Sequence, residues 1–269
     1  MSLINYSLIK QTIKETYNQT AIIFSFVISA IFLILLVFTL KINYDGDSIN
    51  QIQFLGITFD SGEFGVIEYQ FVHGNIVLLK MALMFCFIIQ SSTLFTEMVK
   101  DPIFKLVLTK PISRTAIFLS KYVGELLAIL GILFAFSAAV SLILFIKLKG
   151  VIILIPFMIS TLVFFEFVAM FSILMLISIV ADNSILVIIC GVLLYFGVIP
   201  LLYFNFKEST GNLLEFIAFL FPPVLFERDV TYQILSGEGL NLKSLIFSLI
   251  YIIIFAKIFN YFFGKRQFV

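Results

Sequence analysis

VIILIPFMISTLVFFEFVAMFSILMLISIV, residues 151–180, carries a single charge, Glu166, near its centre. A helix needs about 20 mostly apolar residues to cross the hydrocarbon core of a bilayer. This stretch exceeds that length and lacks the polar alternation of a transmembrane β-barrel. Working outward, five more segments qualify: 21–40, 76–95 with Lys80 near one end, 116–146, 185–204, and 245–263 with Lys257 towards its end. The segments 116–146 and 151–180 are longer than a span requires, so tilt or extension beyond the lipid is expected.

The whole chain agrees with this reading. It has 269 residues, 61% hydrophobic and 12% charged, with mean hydropathy +1.15. Soluble domains average about 45–50% apolar and 25% charged. A water-soluble single domain is excluded, and so is disorder, which needs the opposite balance. Sixteen acids against seventeen bases leave a net charge of only +1, too small to drive nucleic-acid binding. Two cysteines and one histidine, far apart, exclude a zinc ribbon or a disulfide scaffold. The expected fold is all-α: one polytopic transmembrane domain over 1–269, with six spans. The segment 21–40 reads as a retained anchor, because its apolar core is too long for a cleavable signal and no small-residue cleavage site follows.

With both termini cytoplasmic, ten of the seventeen Lys and Arg residues fall on the inner side, against five acids there. Positive charge favours the cytoplasmic face. Lys147 and Lys149, in a short outer turn, run against the trend. Residues 1–19 place Tyr6, Ile9, Ile13 and Tyr17 at roughly helical spacing, which predicts an amphipathic helix in the inner interface.

The outer segments differ from each other. Residues 41–74 hold Asp45, Asp47, Asp60, Glu63 and Glu68. These form a candidate surface for an outer partner, set against the plainer reading of a solvated face, since no calcium-loop spacing is present. Residues 51–60 alternate weakly, and a hairpin with 65–71 is expected. Residues 205–243 contain an apolar stretch too short to span, broken by Pro222 and Pro223. Two short re-entrant helices are expected there.

The inner segment 98–113 is the most informative. Asp101 suits an N-cap and Pro102 the first helical position, so Ile103, Phe104, Lys105, Leu106 and Leu108 fall on a short helix. Pro111 discourages continuation through Lys110, and Ser113 before Arg114 suits the cap of the next span. A short, capped, basic-and-apolar helix is suited to docking in a groove of another protein.

The block Leu106-Val-Leu-Thr-Lys-Pro-Ile-Ser-Arg114, followed by Phe118-Leu-Ser-Lys-Tyr-Val-Gly-Glu125, resembles the permease subunits of ABC-2 type transporters. In that family a leucine-rich turn runs into Pro-(Ile/Val)-Ser-Arg, with a lysine shortly inside the next helix. The order of spans resembles the family over essentially the whole chain. The resemblance implies that 101–109 is a coupling helix seated in an ATPase subunit. It implies two ATPase copies, carrying ATP and Mg, beneath a dimer of permeases. The chain departs from the family pattern at Asp101-Pro102, where a glycine is common, and at Lys105, where an acid is common. The acidic first outer loop is similar to that of the subgroup related to the maturation permease for nitrous oxide reductase.

Catalytic motifs are absent from the sequence. No Gly-x-x-x-x-Gly-Lys-Ser/Thr loop occurs, so ATP hydrolysis is expected on a separate subunit. No nucleophile elbow or His-Glu-x-x-His pair occurs either. His73 reads as an interfacial polar residue, and Cys86 and Cys190 as small apolar side chains within spans. Met81 and Met84 share a helical face, with Cys86 pointing away, and no metal site is expected. Glu166 is costly at mid-bilayer and is a candidate for a substrate path or an interhelical role. Glu125 is expected to pair with Lys121 one turn away. The leading expectation is an ATP-driven exporter of a lipid-like, peptide or other amphiphilic substrate in the inner cell membrane. Two alternatives stand beside it: transmission of ATP-driven motion to an outer-side protein, and an ion-coupled carrier using Glu166.

Overall fold

The structure, a computed structural model, describes residues 5–45, 48–54, 57–60, 80–93, 114–148, 154–181 and 183–199, with the single positions 250, 253, 254, 257, 258 and 261. The elements are α1 (Tyr6–Asn18), α2 (Thr20–Thr39), β1 (Lys41–Asp45), β2 (Ser48–Phe54), β3 (Ile57–Asp60), α3 (Lys80–Thr93), α4 (Arg114–Lys147), α5 (Ile155–Ala181) and α6 (Ser184–Val192). A π-helical turn, Leu193–Val198, continues α6. The described residues are mostly helical. Among them, three helices, α2, α4 and α5, are long and apolar enough to cross a membrane, and α3 and α6 are shorter apolar helices. The protein is membrane-embedded by this criterion. The expected sixth span is described only at its isolated positions, all helical. The segments 98–113 and 205–243, Asp47, Glu63, Glu68 and His73 lie outside the described residues.

Side-chain contacts fix the helix directions. Phe32 of α2 meets Phe136 of α4, and Lys147 Nζ donates to the Leu40 carbonyl at 3.3 Å, so α2 and α4 run the same way. Tyr122 meets Ser172, and Ser137 meets Ser160 and the Pro156 carbonyl, so α5 runs back along α4. Phe87 of α3 lies between Phe167 and Phe171, while Ile88 and Leu174 converge on Gly191 of α6. Helix α3 is therefore parallel to α5, and with Phe85 meeting Phe196 beyond Gly191 it is antiparallel to α6. The contacts give α2, α3, α4, α5 and α6 alternating directions.

Helix α5 sits at the centre. Of its apolar window 78% is buried, against 22% for α2, which turns Phe24, Ile31, Ile34 and Phe38 outward. Outward apolar side chains suit lipid, where Phe and Ile cost nothing to expose. Pro156 is tolerated in the first turn of α5, where a backbone donor has no partner to lose. Asn183 caps α6, its Oδ1 accepting from the Ile185 amide at 3.0 Å.

Helix α4 has 34 residues, about 51 Å of rise, against a hydrocarbon core of about 30 Å. Its excess lies at one end. Matching Phe32 to Phe136 and Leu40 to Lys147 puts the start of α2 level with about residues 124–127. Below that level α4 runs on beside α1. The extension expected for the long third segment is thus a platform for α1.

The all-α expectation is corrected at the opposite end. There β1, β2 and β3 form an antiparallel sheet in the order β1-β2-β3. Residues 48–53 pair with 41–45 and residues 51–54 with 57–60, while the expected partner 65–71 lies outside the described residues. Ile42, Ile52 and Phe59 are in register across the sheet, with Ile52 buried in the core cluster. An apolar register row of this kind favours pairing, because cross-strand apolar neighbours stabilise short strands that are marginal alone. The opposite alternation brings Asn43, Gln51 and Asp60 into register.

The glycine at 191 is required by packing. A Cβ there would meet Leu174 Cδ2 at 2.6 Å and Ile88 Cγ2 at 2.8 Å. Small residues at helix contacts are the usual means of close approach in membranes. Gly191→Leu is expected to cost about 1–3 kcal/mol through overpacking. Thermal unfolding in detergent measures this, and an unchanged midpoint would contradict the convergence of α3, α5 and α6.

Candidate functional site

Two buried polar centres lie among α1, α3, α4 and α5. The first is built on Glu125 of α4, which is fully buried. Its Oε2 accepts from Thr16 Oγ1 of α1 at 2.9 Å, and its Oε1 accepts from Gln90 Nε2 of α3 at 2.7 Å. One carboxylate thereby joins three helices. A buried carboxylate needs such donors, since an unsatisfied one is among the most costly groups in a folded chain.

Around this centre α1 is clamped along α4. The Asn5 amide donates to Ser120 Oγ at 2.8 Å, and the Asn5 side chain caps α1 by accepting from the Ser7 and Leu8 amides. Tyr17 donates to the Ala128 carbonyl at 3.2 Å. Burial pushes the Tyr17 phenol above its ordinary value, so it remains a neutral donor through the physiological range. A Cβ at Gly124 would meet Thr12 Cβ at 2.8 Å, so the absence of a side chain there allows the helices to touch.

These contacts correct the expected Glu125–Lys121 pairing and show which face of α1 is buried. The buried stripe of α1 is Ile9, Thr12 and Thr16, while Tyr6 is 79% exposed. Glu125 takes Thr16 and Gln90 as partners, whereas Lys121 reaches Glu15 at 3.9 Å on a partly exposed face. Such a surface pair contributes little.

The second centre is the ion pair between Lys80 Nζ and Glu166 Oε2, 3.1 Å apart. Both side chains are buried, at 1% and 3% exposure. Glu166 lies eleven residues into α5, about 16 Å from its start and so near mid-bilayer depth. Sequence reading singled out Glu166 but took Lys80 for a charge at the end of a span. The parallel packing of α3 on α5 brings them together.

An aromatic chain separates the two centres. Phe167 and Phe87 meet edge to face at 4.9 Å, Phe87 and Phe171 lie at 5.5 Å, and Phe171 stacks on Tyr122 at 5.0 Å. The Tyr122 hydroxyl then meets Ser172 Oγ at 3.1 Å. Lys80 and Gln90 are ten residues apart on α3, about 15 Å, with Phe87 between them. A small apolar cavity lies beside Phe87 and Phe167, walled also by Ile22, Ser25, Leu83 and Ile129, all buried.

Of the other residues singled out in the sequence, Arg114 opens the described part of α4. Asp101, Pro102, Ile103, Phe104, Lys105, Leu106, Leu108, Lys110, Pro111 and Ser113 lie outside the described residues. Asp45 ends β1 opposite Ser48, and Asp60 ends β3 opposite Gln51. Met81 is 41% exposed whereas Met84 and Cys86 are buried, so Met81 and Met84 do not share an environment. Among the described residues, no three His, Cys, Asp or Glu side chains are grouped to hold a metal ion. Neither a scan against protein-family models nor a search of curated proteins gives a match to this chain.

Proposed function

We propose that this chain is the membrane permease subunit of an ATP-driven transporter of the ABC-2 type. The observation that carries the reading is the Thr16–Glu125–Gln90 contact. It ties the amphipathic N-terminal helix to α3 and α4, the two helices that bracket residues 94–113. A displacement applied to that inner segment is thereby shared by three helices at once. Rigid-body motion of such a unit is a standard way to open a path.

In this reading residues 98–113 dock on a separate ATPase, present in two copies and holding ATP and Mg. Two permease chains, most simply identical, sit in the inner cell membrane with both termini cytoplasmic. The substrate is amphiphilic, a lipid-like molecule or a hydrophobic peptide, and is exported. The chain itself carries out no hydrolysis, holds no cofactor and binds no nucleic acid.

The test is purification of the tagged protein in mild detergent with mass identification of what accompanies it. A stoichiometric subunit with a phosphate-binding loop is expected. Its absence at every detergent strength would overturn the reading. Leu106→Asp with Leu108→Asp is expected to abolish that co-purification while the permease still elutes as a single folded species. Apolar anchors dominate groove binding, and a desolvated carboxylate in their place is costly. Retention of the ATPase by this double variant would contradict docking through 98–113.

A second reading draws on the sheet. Its register row Asn43, Gln51 and Asp60, with Asp45 nearby, provides a polar surface for an outer-side protein that receives ATP-driven motion. A third protein in the same purification, cross-linked to 41–60, favours this version. An ion-coupled carrier through Glu166 draws less support, because its charge already has an internal counter-charge in Lys80.

A further inference from the structure

We propose that the Lys80–Glu166 pair is a register lock, which sets the axial position of α3 on α5 and makes α3, α5 and α6 one mechanical block. The surfaces that meet there are otherwise apolar and adaptable: Met84, Phe87 and Ile88 on α3 face Phe167, Met170, Phe171 and Leu174 on α5. In lipid such surfaces have no hydrophobic drive to prefer one alignment, since the tails are as apolar as the side chains. Sliding α3 by one turn, about 5.4 Å, replaces apolar contacts with similar apolar contacts. The same slide takes Lys80 from 3.1 Å to well beyond contact with Glu166, leaving two charges in an apolar interior. On the α3–α5 contact itself the ion pair is what distinguishes the registers, with the Gln90–Glu125 bond to α4 and the notch at Gly191 as further constraints on α3, and fixing register is the best attested use of a buried polar pair.

The far end of the block agrees. Two turns further along α3, Ile88 and Leu174 close on Gly191 with no room for a Cβ. The notch accepts α6 only when α3 and α5 hold this alignment. The block also has a direction of use: α3 leads into residues 94–113, so a displacement there reaches α5 and α6 through the lock. That last consequence rests on the proposed docking of 98–113, whereas the register itself does not.

The experiment is thiol cross-linking in the permease alone, with no ATPase present, so its result is independent of docking. In a Cys86→Ala, Cys190→Ala background, Ile88→Cys is combined with Leu174→Cys for the observed register. For registers slipped by one turn, it is combined with Met170→Cys or Ser178→Cys. With Lys80 and Glu166 intact, the 88–174 link is expected to exceed either slipped link by about tenfold or more. With Lys80→Met and Glu166→Leu together, the excess is expected to fall by about threefold or more, the Gln90–Glu125 bond and the notch at Gly191 holding the remainder. An undiminished preference in that charge-free protein would overturn the proposal. If the charge-free protein aggregates, the exchanged pair Lys80→Glu with Glu166→Lys decides. It must restore a monodisperse protein and the 88–174 link where each single reversal loses both, and an exchange as disordered as the single reversals overturns the lock. A Glu166 whose role is to hold a transported ion also fails this test, since exchange would then destroy the site without disturbing register.

Discussion

Lys80→Met alone is expected to destabilise the protein by about 3–5 kcal/mol. The reason is what remains. Glu166 would keep its position between Phe165 and Phe167, buried near mid-bilayer, with its described counter-charge gone. Glu166→Leu alone should cost a similar amount, because it strands the ammonium of Lys80. The double variant, Lys80→Met with Glu166→Leu, should recover most of the loss. Removing both charges abolishes the desolvation cost along with the attraction, and buried pairs replaced by apolar residues are often neutral or better. Equilibrium unfolding in detergent, run on all four proteins, measures the coupling directly. Additive losses in the double variant would show that the two charges do not compensate each other. This measurement concerns stability, whereas cross-linking concerns register, and a protein can keep the first while losing the second.

How far the sequence reading reached depends on whether a property belongs to one residue or to two. The apolar runs that became α2, α4 and α5 are sums over single residues, so hydropathy found them. Glu166 stood out for the same reason. Its partner did not: Lys80 is eighty-six positions away, and nothing in local spacing says that α3 lies parallel to α5. Glu125 failed in the opposite way. A charge of the right sign at i−4, Lys121, supplied a ready local partner, but that face of α4 turns Lys121 towards Glu15 and buries Glu125 against α1 and α3.

The stripe on α1 shows a third limit. Apolar periodicity over Tyr6, Ile9, Ile13 and Tyr17 marked the helix itself, whereas the face packed against the rest of the described residues runs through Ile9, Thr12 and Thr16. An amphipathic search assumes that a docked face is apolar. Here the docked face meets a carboxylate, so two threonines take the positions that leucines usually would. Only Gly124, lying one residue before Glu125, hinted that a backbone would approach there. Strand character over 51–60 was legible in its weak alternation, whereas the strand 41–45 was not, because its pattern is completed only by pairing with the next one.

Glu125→Leu is expected to release α1. The substitution removes the acceptor of two buried donors, Thr16 Oγ1 and Gln90 Nε2, at about 1–3 kcal/mol for each left unmade. Thr16 can turn its hydroxyl back to its own helix, so the larger loss falls on Gln90. What then holds α1 is the Asn5–Ser120 contact, the Tyr17–Ala128 contact and modest apolar burial. Trypsin reports the change, because Lys10 and Lys14 lie on the exposed face and become substrates when α1 opens. Cleavage there should accelerate about tenfold or more, as an opening made easier by about 1.4 kcal/mol requires when reclosing is fast. Glu125→Gln should be milder, since an amide oxygen still accepts from one donor and its NH2 can reach Gln90 Oε1, which has no partner among the described residues. Gly124→Leu should match Glu125→Leu by a different route, with the carboxylate intact but α1 held off by the new side chain at Thr12. Agreement between those two variants would identify docking as what matters at this end of the bundle. Faster cleavage in Glu125→Leu with none in Gly124→Leu would instead assign the effect to the hydrogen bonds of Glu125, and α1 would have to be held by something other than its close seat at Gly124.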